Sequence, residues 1–231
     1  SISNRFSFAD FLDENCVITL FTDKNCQYII NLINLNDMSI IKQIEGKFIA
    51  AMNCSVSPNR KLIAIGSVEP VKIYSASLDL VMTLDDTENS GNNLNVVHLS
   101  TEYIAVWDTT HRIQLFTIEG VKIAQFVTKE GEYVSQLSIS PDNLWLAYTT
   151  QSEFSVISLK SLCELASFQS GEILAVSCCS LNTVVTGDQQ GTLKVWDLDK
   201  KAVVQEIHNQ NAAINCITAN FSGDEVVVGG G

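Results

Sequence analysis

A bulky apolar residue closes the third of three apolar segments at Ile33, Tyr74, Phe116, Ile157 and Trp196, at spacings of 41, 42, 41 and 39 residues. The clearest copy of the unit is Thr183-Val-Val-Thr-Gly-Asp-Gln-Gln-Gly-Thr-Leu-Lys-Val-Trp-Asp197, with Ala202-Val-Val-Gln-Glu-Ile207 as a fourth, more charged segment behind it. A unit of about 40 residues cannot bury its own apolar face, so successive units must stack on one another. The repeat therefore excludes most folds before any single residue is weighed.

The second segments read Leu62-Ile-Ala-Ile65, Tyr103-Ile-Ala-Val106, Leu144-Trp-Leu-Ala-Tyr148 and Thr183-Val-Val-Thr186. Near-continuous apolar runs of this kind predict strands covered on both faces. The fourth segments, Ser39 to Ile44 and Ala202 to Ile207, mix in Lys and Glu, which suits outer edge strands that must not pair with other chains. Ser57-Pro-Asn59 and Ser140-Pro-Asp142 mark the turn between first and second strands. Cys179 to Asn182 and Phe221 to Asp224 fall at the same place. Two Trp-Asp pairs occur, yet only Trp196-Asp197 stands in the third-strand position. Trp107 falls on a second strand, where the other units have Gly66 and Gly187, and Phe116 takes the place of Trp196 in its unit.

With its period near 40 and four strands per unit, the chain resembles the WD40-repeat family over essentially its whole length. The resemblance implies an all-β fold, a β-propeller of four-stranded antiparallel blades, with about five and a half blades in view. Their expected extents are 6–44, 49–84, 94–126, 133–168 and 173–207, with an incomplete unit at 212–231, all within one domain. The start at Ser1 and the stop within the sixth unit predict a segment of a larger protein that supplies the rest of the propeller. Many blades of the family carry a buried set of histidine, serine or threonine, aspartate and tryptophan. Thr186 and Trp196 match in unit five, whereas Gln190 stands at the aspartate position and His208 is displaced. The chain thus reads as a divergent member whose blades rest mainly on apolar packing.

Twenty-six acidic residues against fourteen basic ones give a net charge of −12. Such a field repels phosphate backbones and anionic lipid, so neither nucleic acid nor a membrane surface is an expected partner. No run approaches the 18 apolar residues of a membrane span. The seven cysteines include no Cys-x-x-Cys and lie mostly in strand context, which points to a reducing, cytoplasmic setting. Three histidines without ligand-spaced neighbours, no Gly-x-Ser-x-Gly and no phosphate-cradling loop give no basis for a metal, a cofactor or an enzyme.

The resemblance instead implies a protein-interaction module. In the family, partners meet the loops that enter first strands and those that join second to third strands. Here these are 68–70, 85–93, 108–111, 129–132 and 188–190. The candidate partner residues are Glu69, Asp85, Asp86, Glu88, Trp107, Glu130, Glu132, Asp188 and Gln190, and their charge favours a basic protein. Trp107 has two readings, a core filler where a small residue is usual, or an apolar anchor on that face. The parent is expected to be a multidomain scaffold or sensor, with an apoptosome-type ATPase resembling the apoptotic protease-activating factors as one candidate. A ubiquitin-ligase substrate receptor and a purely structural propeller in a trafficking or other large assembly are the alternatives.

Overall fold

The computed structural model describes residues 5–22, 28–46, 53–66, 70–84, 96–108, 110–129, 132–150, 153–169, 173–179, 182–208, 212–220, 222 and 224–230. Every regular element in them is a strand. Sheet I is β1 (Arg5–Phe11), β2 (Cys16–Thr22), β3 (Tyr28–Asn34) and β4 (Ile40–Gly46). Sheet II is β5 (Asn53–Val56), β6 (Leu62–Gly66), β7 (Val71–Ser75) and β8 (Leu80–Leu84). Sheet III is β9 (Val96–Leu99), β10 (Tyr103–Asp108), β11 (Arg112–Thr117) and β12 (Lys122–Val127). Sheet IV is β13 (Gln136–Ile139), β14 (Trp145–Thr149), β15 (Glu153–Ser158) and β16 (Cys163–Gln169). Sheet V is β17 (Ile173–Cys178), β18 (Thr183–Asp188), β19 (Thr192–Asp197) and β20 (Ala202–His208). Sheet VI is a pair, β21 (Ile214–Ala219) and β22 (Val226–Gly230).

Each four-stranded sheet keeps its strands in chain order, the arrangement of a propeller blade. The chain divides into two compact units, Ser1–Leu99 with Ile104–Gln125, and Ser100–Tyr103 with Phe126–Gly231. The first holds sheets I, II and most of III, and the second holds sheets IV, V and VI. Phe116 lies on the third strand of its sheet and Trp107 on the second, as the spacing of the sequence predicts.

The register of the third strands is marked by a backbone irregularity. Pairing to the fourth strand shifts at Leu32/Ile33, Ile73/Tyr74, Val156/Ile157 and Val195/Trp196. A bulge adds twist and re-aims the side chain it carries, and in these four sheets that side chain is the repeated bulky residue. Beyond it the third-to-fourth-strand turn holds one left-handed residue per sheet, Met38, Leu78, Gly120, Leu162 and Lys201. The turn joining first to second strands is tied by a side-chain oxygen that accepts a backbone amide: Ser57 from Leu62 at 2.9 Å, Ser100 from Tyr103 at 2.8 Å, and Ser140 from Trp145 at 2.9 Å.

Packing between neighbouring sheets follows one rule. In sheets I, II and IV, three residues before the bulky residue, the third strand pairs with an apolar position of the fourth: Ile30 with Ile44, Val71 with Leu84, Phe154 with Phe168. The bulky residue of the next sheet covers that pair. Tyr74 joins Ile30 and Ile44, Phe116 joins Val71 and Leu84, and Trp196 joins Phe154 and Phe168. In the last case the Trp196 ring stands edge-on to Phe154 at 4.7 Å and tilted to Phe168 at 4.8 Å, a geometry that adds to simple burial.

Hydrogen bonds reinforce this stacking. Left-handed residues of the first turns reach back to the preceding sheet: Arg60 to Asp10 and the Phe11 carbonyl, and Asn143 to Thr101. Asn182 accepts a bond from the Trp145 indole N–H at 2.8 Å. The second strands are buried almost throughout, as their sequence predicts. The outer strands are exposed, and they show more bare apolar surface than their Lys and Glu lead one to expect, including Ile40, Ile41, Leu80 and Val81. Among the described residues, no helix is long and apolar enough to cross a membrane.

Candidate functional site in the rim turns

In each sheet the first strand begins at the end where the second strand turns into the third, because Val96 pairs with Trp107, Gln136 with Thr149, and Ile173 with Asp188. Each of the turns at Asp108 and Asp188 lies at that end of its own sheet. Glu69, Asp85, Asp86, Glu88 and Glu130 fall outside the described residues.

In the first unit, β10 ends at Asp108, whose carboxylate organises the turn into β11. One oxygen accepts the Thr110 amide at 2.8 Å and its hydroxyl, and the other accepts Arg112 Nη2 at 2.8 Å and Gln114 Nε2 at 3.2 Å. Arg112 Nε also donates to the Thr110 hydroxyl at 2.6 Å. Asp108, Arg112 and Gln114 are all buried. Burial works to raise the Asp108 carboxyl, but hydrogen bonds from Thr110 and Arg112, with the charge of Arg112, outweigh it and hold the group below its ordinary range. This ion pair was not legible as such in the sequence. The available signal was an aspartate and an arginine four residues apart across a tight turn.

Trp107 alternates with Asp108 along β10 and so faces the other side of the sheet. It is only 3% exposed. Its ring is part of the packed interior and offers a partner nothing to grip in this conformation, so of the two readings the core filler describes the structure. The equivalent Gly187 shows why that position is otherwise small. A Cβ there would stand 2.4 Å from Ile214 Cγ2, well inside contact distance, so β21 can seat on sheet V only because residue 187 is glycine.

In the second unit, the β18–β19 turn repeats the carboxylate device in exposed form. Asp188 accepts the Gln190 amide at 3.0 Å and the Thr192 amide at 2.7 Å, and Gly191 takes the left-handed place. The turn's carboxylate is thus Asp188, not a residue at position 190, and Gln190 is left exposed with its side chain free to vary. Glu132 lies just before β13 and pairs with Lys129 at 2.9 Å. Hydrogen bonding and charge from Glu132 raise Lys129 above its usual value. Asp188 and Gln190 are therefore brought together in one turn, and Glu132 is already engaged within its own segment.

Trp196 donates its indole N–H to Thr186 at 2.9 Å, which joins the second and third strands of sheet V through a buried side-chain bond. Among the described residues, no three His, Cys, Asp or Glu side chains lie together where they could hold a metal ion. Burial pushes the Cys178 thiol up to about 12 and Cys179 up to about 11, and it pushes His98 down to about 4. The two thiols stay protonated and the imidazole stays neutral at ordinary pH, a state for core groups rather than for nucleophiles. The chain matches no family model and no curated protein sequence.

Proposed function

We propose that the chain is a divergent WD40-type propeller segment that works as a non-enzymatic protein-interaction module of a larger cytoplasmic protein, with an acidic rim that receives a basic partner. The observation that carries this reading is the way the rim turns are built. Asp108 and Asp188 each fix their turn from within, through backbone amides of the turn itself, which presents the neighbouring side chains from a rigid base, as recognition surfaces require. The net charge of −12 adds long-range attraction for a basic ligand. The apoptosome-type parent is the one we favour, because an acidic sensor propeller there suits a basic protein ligand.

The test is capture of partners by the chain and by a variant carrying Asp85→Lys, Asp86→Lys and Glu130→Lys. These positions are expected in loops from the sequence, where a charge contributes little to folding, so the melting temperature should stay the same while basic partners are lost. Equal capture by both proteins contradicts the acidic-rim reading and favours the purely structural propeller. Recovery of ubiquitin-ligase subunits by both proteins alike moves the assignment to the substrate receptor.

A further inference from the structure

Eight residues before the bulky third-strand residue, sheets III and V both place an aspartate, Asp108 before Phe116 and Asp188 before Trp196. The turns that follow are built alike. Asp108 Oδ1 accepts the Thr110 amide at 2.8 Å and Asp188 Oδ1 accepts the Gln190 amide at 3.0 Å, while His111 and Gly191 take the left-handed place. Each aspartate also stands on the corresponding face of its own sheet. Asp108 follows Ile104 by four residues and Asp188 follows Val184 by four, and these two apolar residues pack towards sheets II and IV respectively. Sheets IV and V belong to one compact unit.

The two turns part at the second carboxylate oxygen. Asp108 Oδ2 receives Arg112 through Nη2 at 2.8 Å and Nε at 3.2 Å, and the same Nε donates to the Thr110 hydroxyl at 2.6 Å. In sheet V the place of Arg112 is taken by Thr192, a short side chain without charge, whose hydroxyl lies 3.4 Å from His208 Nδ1. Asp188 Oδ2 takes no hydrogen bond or ion pair among the described residues. Gln190, at the place of Thr110, presents an exposed side-chain amide beside it. Lys194 forms no ion pair with Asp188 and lies opposite Glu206 of β20, which offsets its charge.

We propose that Asp188 and Gln190 form a receptor for the guanidinium of an arginine on a protein partner, which takes the place that Arg112 fills for Asp108 in sheet III. The chain's own Arg112 specifies the occupant, because it shows which group satisfies this turn when one is supplied. A guanidinium reaches the carboxylate and the neighbouring acceptor together through its fixed fork of N–H groups, whereas a lysine ammonium is a single charged point. Asp188 is half-buried, so a charged hydrogen bond there is stronger than on an open loop. The site deepens the reading of the chain as a receiver of basic partners and rests on that reading.

The experiment uses the 231-residue chain and the blocked peptide acetyl-Gly-Arg-Gly-amide as probe, read by NMR shifts of the Gln190 and Thr192 amides during titration. Both amides should move and saturate, and the matching lysine and citrulline peptides should bind about tenfold more weakly. Asp188→Asn keeps an oxygen for the two turn amides and should lose the binding. Thr192→Arg supplies the guanidinium from the chain itself, as sheet III does, and should also block the probe. The Asp85→Lys, Asp86→Lys, Glu130→Lys variant should bind the probe as the unmodified chain does. Partner capture unaffected by those three reversals contradicts the loop charges, whereas the arginine receptor fails on the probe's own readouts. Absent amide shifts, equal affinity for the lysine peptide, or undiminished binding by Asp188→Asn overturns it.

Discussion

At the residue scale, Asp108 and Arg112 form a buried pair in which each group depends on the other. Removing the carboxylate takes from Arg112, Gln114 and the Thr110 amide the acceptor they share, so Asp108→Ala should cost about 3 to 5 kcal/mol in urea unfolding. Because the Asp108 carboxyl lies below its ordinary range in the fold, its contribution is fully present above the unfolded carboxyl value and is lost as pH falls through the folded one. Asp108→Asn should therefore flatten the acid limb of the stability curve, and an unchanged acid limb would contradict the pairing. Left-handed residues give a second test. Leu162 has φ 55° and is 39% exposed, so it loses far less packing than a buried leucine and Leu162→Gly, which relieves the strain, should stabilise by up to about 1 kcal/mol. Leu78 has φ 58° but is fully buried. Leu78→Gly should destabilise by about 2 to 5 kcal/mol despite the same relief, because the lost packing outweighs it. Thermal or chemical unfolding of the two variants checks the opposed signs.

At the scale of strands and sheets, the bulky third-strand residue is the element that binds one sheet to the next. Trp196→Ala removes the ring from Phe154 and Phe168 and leaves Thr186 without its indole donor, so it should cost about 3 to 5 kcal/mol. Gly187→Ala should expose β21 and β22, because the added methyl collides with Ile214, and faster hydrogen exchange confined to residues 214–230 is the expected signature. Ile33, Tyr74, Phe116, Ile157 and Trp196 were legible in the sequence because size and spacing recur together, and the Ser-Pro turns were legible because proline fixes a backbone angle. The left-handed turn residues were not, since Met38, Leu78, Leu162 and Lys201 are not types that announce a positive φ. The reach of Arg60, Asn143 and Asn182 between sheets was also hidden, because it depends on stacking that no local pattern encodes. The rim was only partly legible. Charge marks its loops, but the sequence did not separate Glu132 and Asp188, which serve their own segments, from an exposed residue such as Gln190.

At the scale of the whole molecule, the proposed recognition of a basic partner rests on the acidic excess of the chain, a net charge of −12. Electrostatic attraction of a basic partner acts mainly on the rate of encounter and is screened by salt, whereas an apolar contact is far less affected. Surface plasmon resonance with the partner retained most strongly by the chain, run from about 0.05 to 0.5 M salt, is the most direct measurement of the acidic-rim claim. Association should slow steeply as salt rises for the unmodified chain, and the slope should fall for the Asp85→Lys, Asp86→Lys, Glu130→Lys variant. An association rate that is the same at both ends of the salt range, or a slope unaffected by the three reversals, would contradict it.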